Sequence, residues 1–220
     1  LSKIRKILYA AALAAVIMVI LLNLLFHKPS FYNPVESRGN RQISRYLTHQ
    51  IFPRLYNGIQ TGERFVLAVE EEQVMDCIRR MRWPREYGGF VFKTPYVFFV
   101  PRRIIILTAT HLGEREIVLT CVIRPQINED GLMQLKVRKV RVGSLNIPYV
   151  VKHFAKKIYA SEAGPVDSDG KDAGVRIASA LLEEEPFEPV FVFDDTRVMI
   201  ESVEVERGQV LLAIKPVFCD

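Results

Sequence analysis

The sequence predicts an α+β protein, with an N-terminal transmembrane helix followed by a curved antiparallel sheet with packed helices. Three observations carry this. Residues 7–26 form a 20-residue apolar run broken only by Asn23. Between residues 89 and 142 the chain is rich in β-branched and aromatic residues in strand-length segments. The segments on either side place apolar residues at helical spacing. With 220 residues, 49% hydrophobic and 25% charged, the chain can bury a core and is not mainly disordered, collagenous or coiled coil.

At about 1.5 Å per residue, residues 7–26 span the roughly 30 Å hydrocarbon core of a bilayer. The small residues Ala10 to Ala15 lie near the start of the run and Leu21 to Phe26 follow, the reverse of the order in a cleavable signal peptide. Lys3, Arg5 and Lys6 precede the run and only His27 and Lys28 follow closely, so residues 1–28 are expected to be a short cytoplasmic tail and anchor. This puts the chain in the cell inner (cytoplasmic) membrane, single-pass, with its bulk outside.

Residues 29–64 read as a juxtamembrane linker and helix. Pro29, Pro34 and Gly39 mark the linker. Ile43, Tyr46, Leu47 and Ile51 follow at helical spacing, and Pro53 predicts a break or kink. Residues 65–220 read as the extracytoplasmic domain. Phe65, Leu67 and Val69 alternate as a strand. Residues 70–82 then set Val74, Cys77, Ile78 and Met81 on one helical face, with acids first and arginines last as the helix dipole favours. Strands follow at 96–100, 103–111, 115–124 and 132–142, with a turn at Asn128 to Gly131. These strands are apolar on both faces: Val118 and Val122 oppose Ile117, Leu119, Cys121 and Ile123. Either both sides of the sheet are covered or one side lines an apolar ligand.

A helix over 149–159 turns Val151, Phe154, Ala155 and Ile158 inward and Lys152, His153, Lys156 and Lys157 outward. Lys152, Lys156 and Lys157 are candidates for contact with anionic headgroups, beside the plainer reading of a solvated basic face. Residues 160–174 are polar and small, a mobile loop; a helix at 175–185, a strand at 189–193 and a hairpin of 197–205 with 210–216 complete the chain. Residues 94–106 and 188–200 match at Pro95/Pro189, Phe99/Phe193, Arg103/Arg197 and Ile106/Ile200, which suggests an internal duplication of a helix-strand-strand-strand unit.

The formal charge of +5 is not one basic face. Residues 30–159 hold 21 basic and 11 acidic groups, while residues 160–220 hold 5 and 14. The two halves attract one another, and no nucleic-acid partner is expected. Cys77, Cys121 and Cys219 are too few for a disulfide scaffold or a cysteine zinc site, and their redox state stays open; Cys77 reads as a buried apolar residue. No HExxH, GxSxG, P-loop or GxGxxG occurs. Ser168 with Lys171 and the run Asp167, Asp169, Asp172 lie in the polar loop without the partners that their chemistry needs.

Pro125, Ile127, Glu129, Asp130, Gly131 and Leu132 fit a P-x-I-x-E-D-G-x-L hairpin with Leu132 one place early. Val142, Gly143, Leu145, Ile147 and Pro148 fit V-G-x-L-x-I-P. With the single N-terminal span, residues 65–160 thereby resemble the YpmS-type membrane-anchored proteins of bacteria. That resemblance implies a lipid-binding or envelope role and brings no catalytic residue.

The expected function is a membrane-anchored, non-enzymatic domain that binds lipid or another amphiphile in an apolar groove, with no cofactor and no metal. Val97, Phe99, Ile104, Ile106, Phe191, Phe193 and Ile200 are the groove candidates, because an acyl chain needs only apolar area and shape. An ordinary packed core is the competing use of the same residues. The alternative function is a protein-interaction or scaffold module in cell-envelope assembly, with another envelope membrane protein as partner.

Overall fold

The apolar run winds into one helix, α1 (Ser2–Phe26), of which Arg5–Phe26 is long and apolar enough to cross a membrane. A computed structural model describes residues 2–30, 32, 44–162 and 173–218 of the chain. Large side chains from Ile7 to Leu24 are exposed all round the helix, a pattern that fits a bilayer rather than water. Asn23 is accommodated because its side-chain amide donates to the Val19 carbonyl one turn back, at 2.9 Å.

After residue 44 a π-helical turn, Leu47–Ile51, runs directly into α2 (Phe52–Thr61). At Pro53 the helix does not stop, but the regular α-helical bonding just before it gives way to the π-helical turn, whose last bond runs from the Phe52 N–H to the Leu47 carbonyl. Gly62 then ends α2 in the left-handed region at φ 70°. β1 (Phe65–Glu70) and α3 (Glu71–Arg80) follow. A small hairpin, β2 (Arg85–Tyr87) with β3 (Phe90–Phe92), precedes β4 (Tyr96–Val100), β5 (Arg103–Leu112), β6 (Arg115–Ile127), β7 (Met133–Val142) and the short β8 (Leu145–Asn146). β4 to β8 make a five-stranded antiparallel meander. Beyond it come α4 (Pro148–Glu162), α5 (Ala173–Glu183), β9 (Val190–Phe193), β10 (Thr196–Val205) and β11 (Gln209–Val217). β1 closes on β11, giving a four-stranded sheet in the order β1-β11-β10-β9. The single predicted sheet is thus two principal sheets, and most of the loop predicted at 160–174 lies outside the described residues, as does Cys219.

Strand register explains the two-sided apolar pattern. One face of the five-stranded sheet presents Val97, Phe99, Ile104, Ile106, Cys121 and Ile123 through direct cross-strand pairs. Met75, Val74 and Ile78 of α3 and Val203, Val205, Val210 and Leu212 of the four-stranded sheet pack with the β4 and β5 members of this set. Leu212 also joins a second cluster in which Ile51, Leu55 and Ile59 cover Leu67, Val198, Phe191, Phe193, Ile200 and Ile214. The inner face of the four-stranded sheet is therefore covered in part by α2 and in part by α3 with the other sheet. On its reverse side Val66 and Val192 are exposed.

The duplication holds for strand order and fails for residue register. β4-β5-β6 and β9-β10-β11 are both three-stranded meanders. Their first turns are Pro101–Arg102 and Asp194–Asp195, with Arg102, Asp194 and Asp195 at positive φ. Arg103 and Thr196, which close these turns, stand 93 positions apart, whereas Arg115 and Gln209, which open the third strands, stand 94 apart. A β-bulge between Ile200 and Ser202 absorbs the extra residue. Before the bulge the sequence matches are one place out, so Phe99 corresponds to exposed Val192 and not to Phe193. The preceding helices differ too, since α3 packs on β4 while α5 packs on β7.

Candidate functional site

All seven groove candidates lie inside the domain, in two neighbouring clusters. Val97, Phe99, Ile104 and Ile106 meet α3. Phe191, Phe193 and Ile200 meet α2, with the Phe193 ring 5.8 Å from that of Phe52. None of the seven lines either of the concavities described below. Phe99 is further fixed by its backbone N–H, which donates to Glu71 Oε2 at 2.7 Å.

The opposite face of the five-stranded sheet has a different character. Its register rows are Ala109 with Val118; Tyr96, Leu107, Thr120 and Arg141; Phe98, Ile105, Val122 and Lys139; and Val100 with Arg103, beyond which Arg124 pairs Lys136. The face is apolar at one end and basic at the other. Leu107, Ala109 and Val118 are fully buried at the apolar end, where Tyr32 joins them from outside the sheet. Thr120 Oγ and Arg141 Nε, on register partners midway along the face, are buried without a hydrogen-bond partner among the described residues.

The apolar end is also where α1 docks. Ser144 N–H donates to the Leu24 carbonyl at 2.8 Å, satisfying one of the carbonyls that a helix C-terminus leaves open. Gly143, at φ 59°, admits no side chain, because a Cβ there would collide with the carbonyl oxygens of Leu24 and Leu25. The Arg115 guanidinium lies 4.9 Å from the centre of the Phe26 ring. Lys28 Nζ donates to Glu116 Oε1 at 2.8 Å and Lys93 Nζ to its other oxygen, and Lys28 first, then Lys93, hold the Glu116 carboxyl below the usual range.

At the basic end, Arg102, Arg103, Arg124, Arg138 and Lys139 line a concavity of about 420 Å³ with Pro101 and Val122. The Pro101–Arg102 turn is pinned by the Arg102 N–H, which donates to the Val205 carbonyl at 2.7 Å. Arg138 is the extra residue of a bulge between Val122 and Ile123, a device that re-aims a side chain. A second concavity, about 370 Å³, is lined by Glu70, Glu71, Glu72, Arg207, Gly208 and Gln209.

Of the three candidate headgroup lysines, Lys152 pairs with Glu184 at 3.0 Å and Lys156 with Glu183, while Lys157 is exposed. α4 therefore turns two of its cations toward acids at the end of α5. Phe154, predicted to point inward, is exposed, and Tyr149 is 88% exposed. The basic concavity escaped sequence reasoning because its five cations come from β5, β6, β7 and one turn. The surplus of base over acid in residues 30–159 was its one visible sign. Comparison with protein-family profiles, curated proteins and solved structures gives no match for this chain.

Proposed function

We propose that the chain is a single-pass protein of the cytoplasmic membrane whose extracytoplasmic domain is a non-enzymatic module for lipid or another amphiphile. The observation that carries this is the graded face of β4 to β7, with an apolar end beside α1 and a basic end beyond it. An amphiphile has the same division. The occupied surface would then be this outer face, with Phe98, Ile105 and Val122 in its middle, while the inter-sheet core stays closed. The resemblance to YpmS-type proteins points the same way. The test is a photoactivatable phosphatidylcholine in vesicles carrying the full chain. Crosslinks on Phe98, Ile105 or Val122 in addition to α1 support the reading. Crosslinks confined to residues 7–26 overturn it.

A second reading, a scaffold that binds another envelope membrane protein, is favoured by the edge strands β1 and β9, on which Val66 and Val192 are exposed. Under it, Val192→Lys abolishes association with the partner and leaves lipid crosslinking unchanged.

A further inference from the structure

We infer that the concavity of Arg102, Arg103, Arg124, Arg138 and Lys139 is a site for a phosphate-bearing anion, the headgroup of an anionic phospholipid whose chains lie over the partly exposed Phe98, Ile105 and Val122. The inference rests on the amphiphile reading above and names the ligand class of that face. Five cations and no acid line one concavity. None of the five belongs to an ion pair among the described residues. Like charges held this close repel, and an anion relieves the repulsion. Arginine suits phosphate better than lysine does, because its planar fork donates two parallel hydrogen bonds.

The site is built rather than accidental in two respects. The Arg102 turn is fastened to the end of β10, and the β7 bulge supplies Arg138 beside Lys139. Val122 lines the concavity and lies in one row with Ile105 and Phe98, all three partly exposed, so the cations adjoin an accessible apolar row. Arg124 lies eight residues along β6 from Glu116, a run of about 26 Å at the rise of an antiparallel strand. The headgroup would therefore sit well beyond the end of α1, lifted out of the bilayer plane.

The experiment uses the full chain in alkyl-glycoside micelles with two photoactivatable probes of equal chain length, a phosphatidylglycerol and a diacylglycerol. The phosphatidylglycerol is expected to crosslink near Val122 at least roughly tenfold more than the diacylglycerol, and millimolar inorganic phosphate to compete. Arg103→Gln with Arg124→Gln should erase that preference and leave diacylglycerol crosslinking at its wild-type level. Arg103→Lys with Arg124→Lys keeps the charge, loses the fork and should retain part of the preference; it takes the place of the glutamine variant if that variant does not fold. Equal crosslinking by both probes leaves the amphiphile reading standing and overturns the headgroup inference. If neither probe reaches the sheet, the amphiphile reading falls and inorganic phosphate alone tests the site. A rise in wild-type melting temperature that the variants lack then supports a free-phosphate site, and no rise ends it. Displacement of the probe by DNA but not by phosphate would identify an extended polyanion and overturn the inference.

Discussion

The backbone N–H of Ser144 donates to the carbonyl oxygen of Leu24 at 2.8 Å, so a turn of the β domain caps the C-terminal end of α1. The neighbouring Gly143 has both a left-handed backbone and no room for a Cβ. Gly143→Ala should therefore cost about 1–2 kcal/mol from the backbone conformation alone and more from displacing α1. Thermal unfolding of the full chain in micelles, together with protease cleavage after Lys28, measures both effects. A variant with wild-type melting and a protected Lys28 would show that the cap does not hold α1.

Glu116 ties the same junction to pH. Its carboxylate is stabilised in the folded state by Lys28 and Lys93, so its folded pKa lies below its unfolded value. The stability that it contributes is complete above the ordinary glutamate pKa of about 4.3 and is lost as pH falls through the lower folded value. Because Lys28 and Lys93 are partly exposed, each pair should be worth about 1 kcal/mol or less. Glu116→Gln should be less stable at pH 7 by that order and should lose less on acidification to pH 3 than wild type does. Parallel melting-versus-pH curves for the two proteins would count against the Glu116 contribution.

Cys121 lies between Ile104 to Ile106 on one side and Val140 on the other, and burial pushes its thiol up to about 11. The reactive thiolate is then scarce at pH 8. Iodoacetamide should leave Cys121 unmodified in the native protein and alkylate it on unfolding in guanidinium, which peptide mass spectrometry reads directly. Rapid native alkylation would mean that β5 to β7 open locally.

The parts of this fold that local pattern determines were legible in the sequence. Residues 7–26 were legible as one long apolar helix by length and polarity, α3 has its acids and arginines at the correct ends, and β4 to β7 fall within a few residues of their predicted bounds. What depends on distant pairing was not legible. Nothing near Phe65 announces that β1 will close on β11, and nothing near Lys152 announces Glu184. Alternation told that Phe98 and Phe99 face opposite ways, but not which of them α3 would cover. The choice of Phe99, Val97, Ile104 and Ile106 as groove residues picked the face that became core. The cations of the concavity were each visible as single charges; only the β5-β6-β7 register and a bulge at Arg138 bring them together.

That division between neighbouring residues gives the sharpest test of the face assignment. Phe99 is 5% exposed and packs with Met75, Val205 and Val210, so Phe99→Asp would place an unpaired carboxylate in a dry core. The domain should lose several kcal/mol and fail to fold at ordinary temperature. Phe98 points the other way, paired with Ile105 and in ring contact with Tyr96 at 5.8 Å, and it is only half-buried. Phe98→Asp should cost about 1–2 kcal/mol in lost apolar contact and leave a folded protein, because a carboxylate there keeps access to water. Its effect should fall on amphiphile binding, since the new charge repels both the chains and an anionic headgroup. Circular dichroism melts of the two variants, read beside lipid crosslinking, decide the matter. A folded Phe99→Asp would show that the inner cluster is not closed, whereas a folded Phe98→Asp with undiminished crosslinking would remove Phe98 from the binding face.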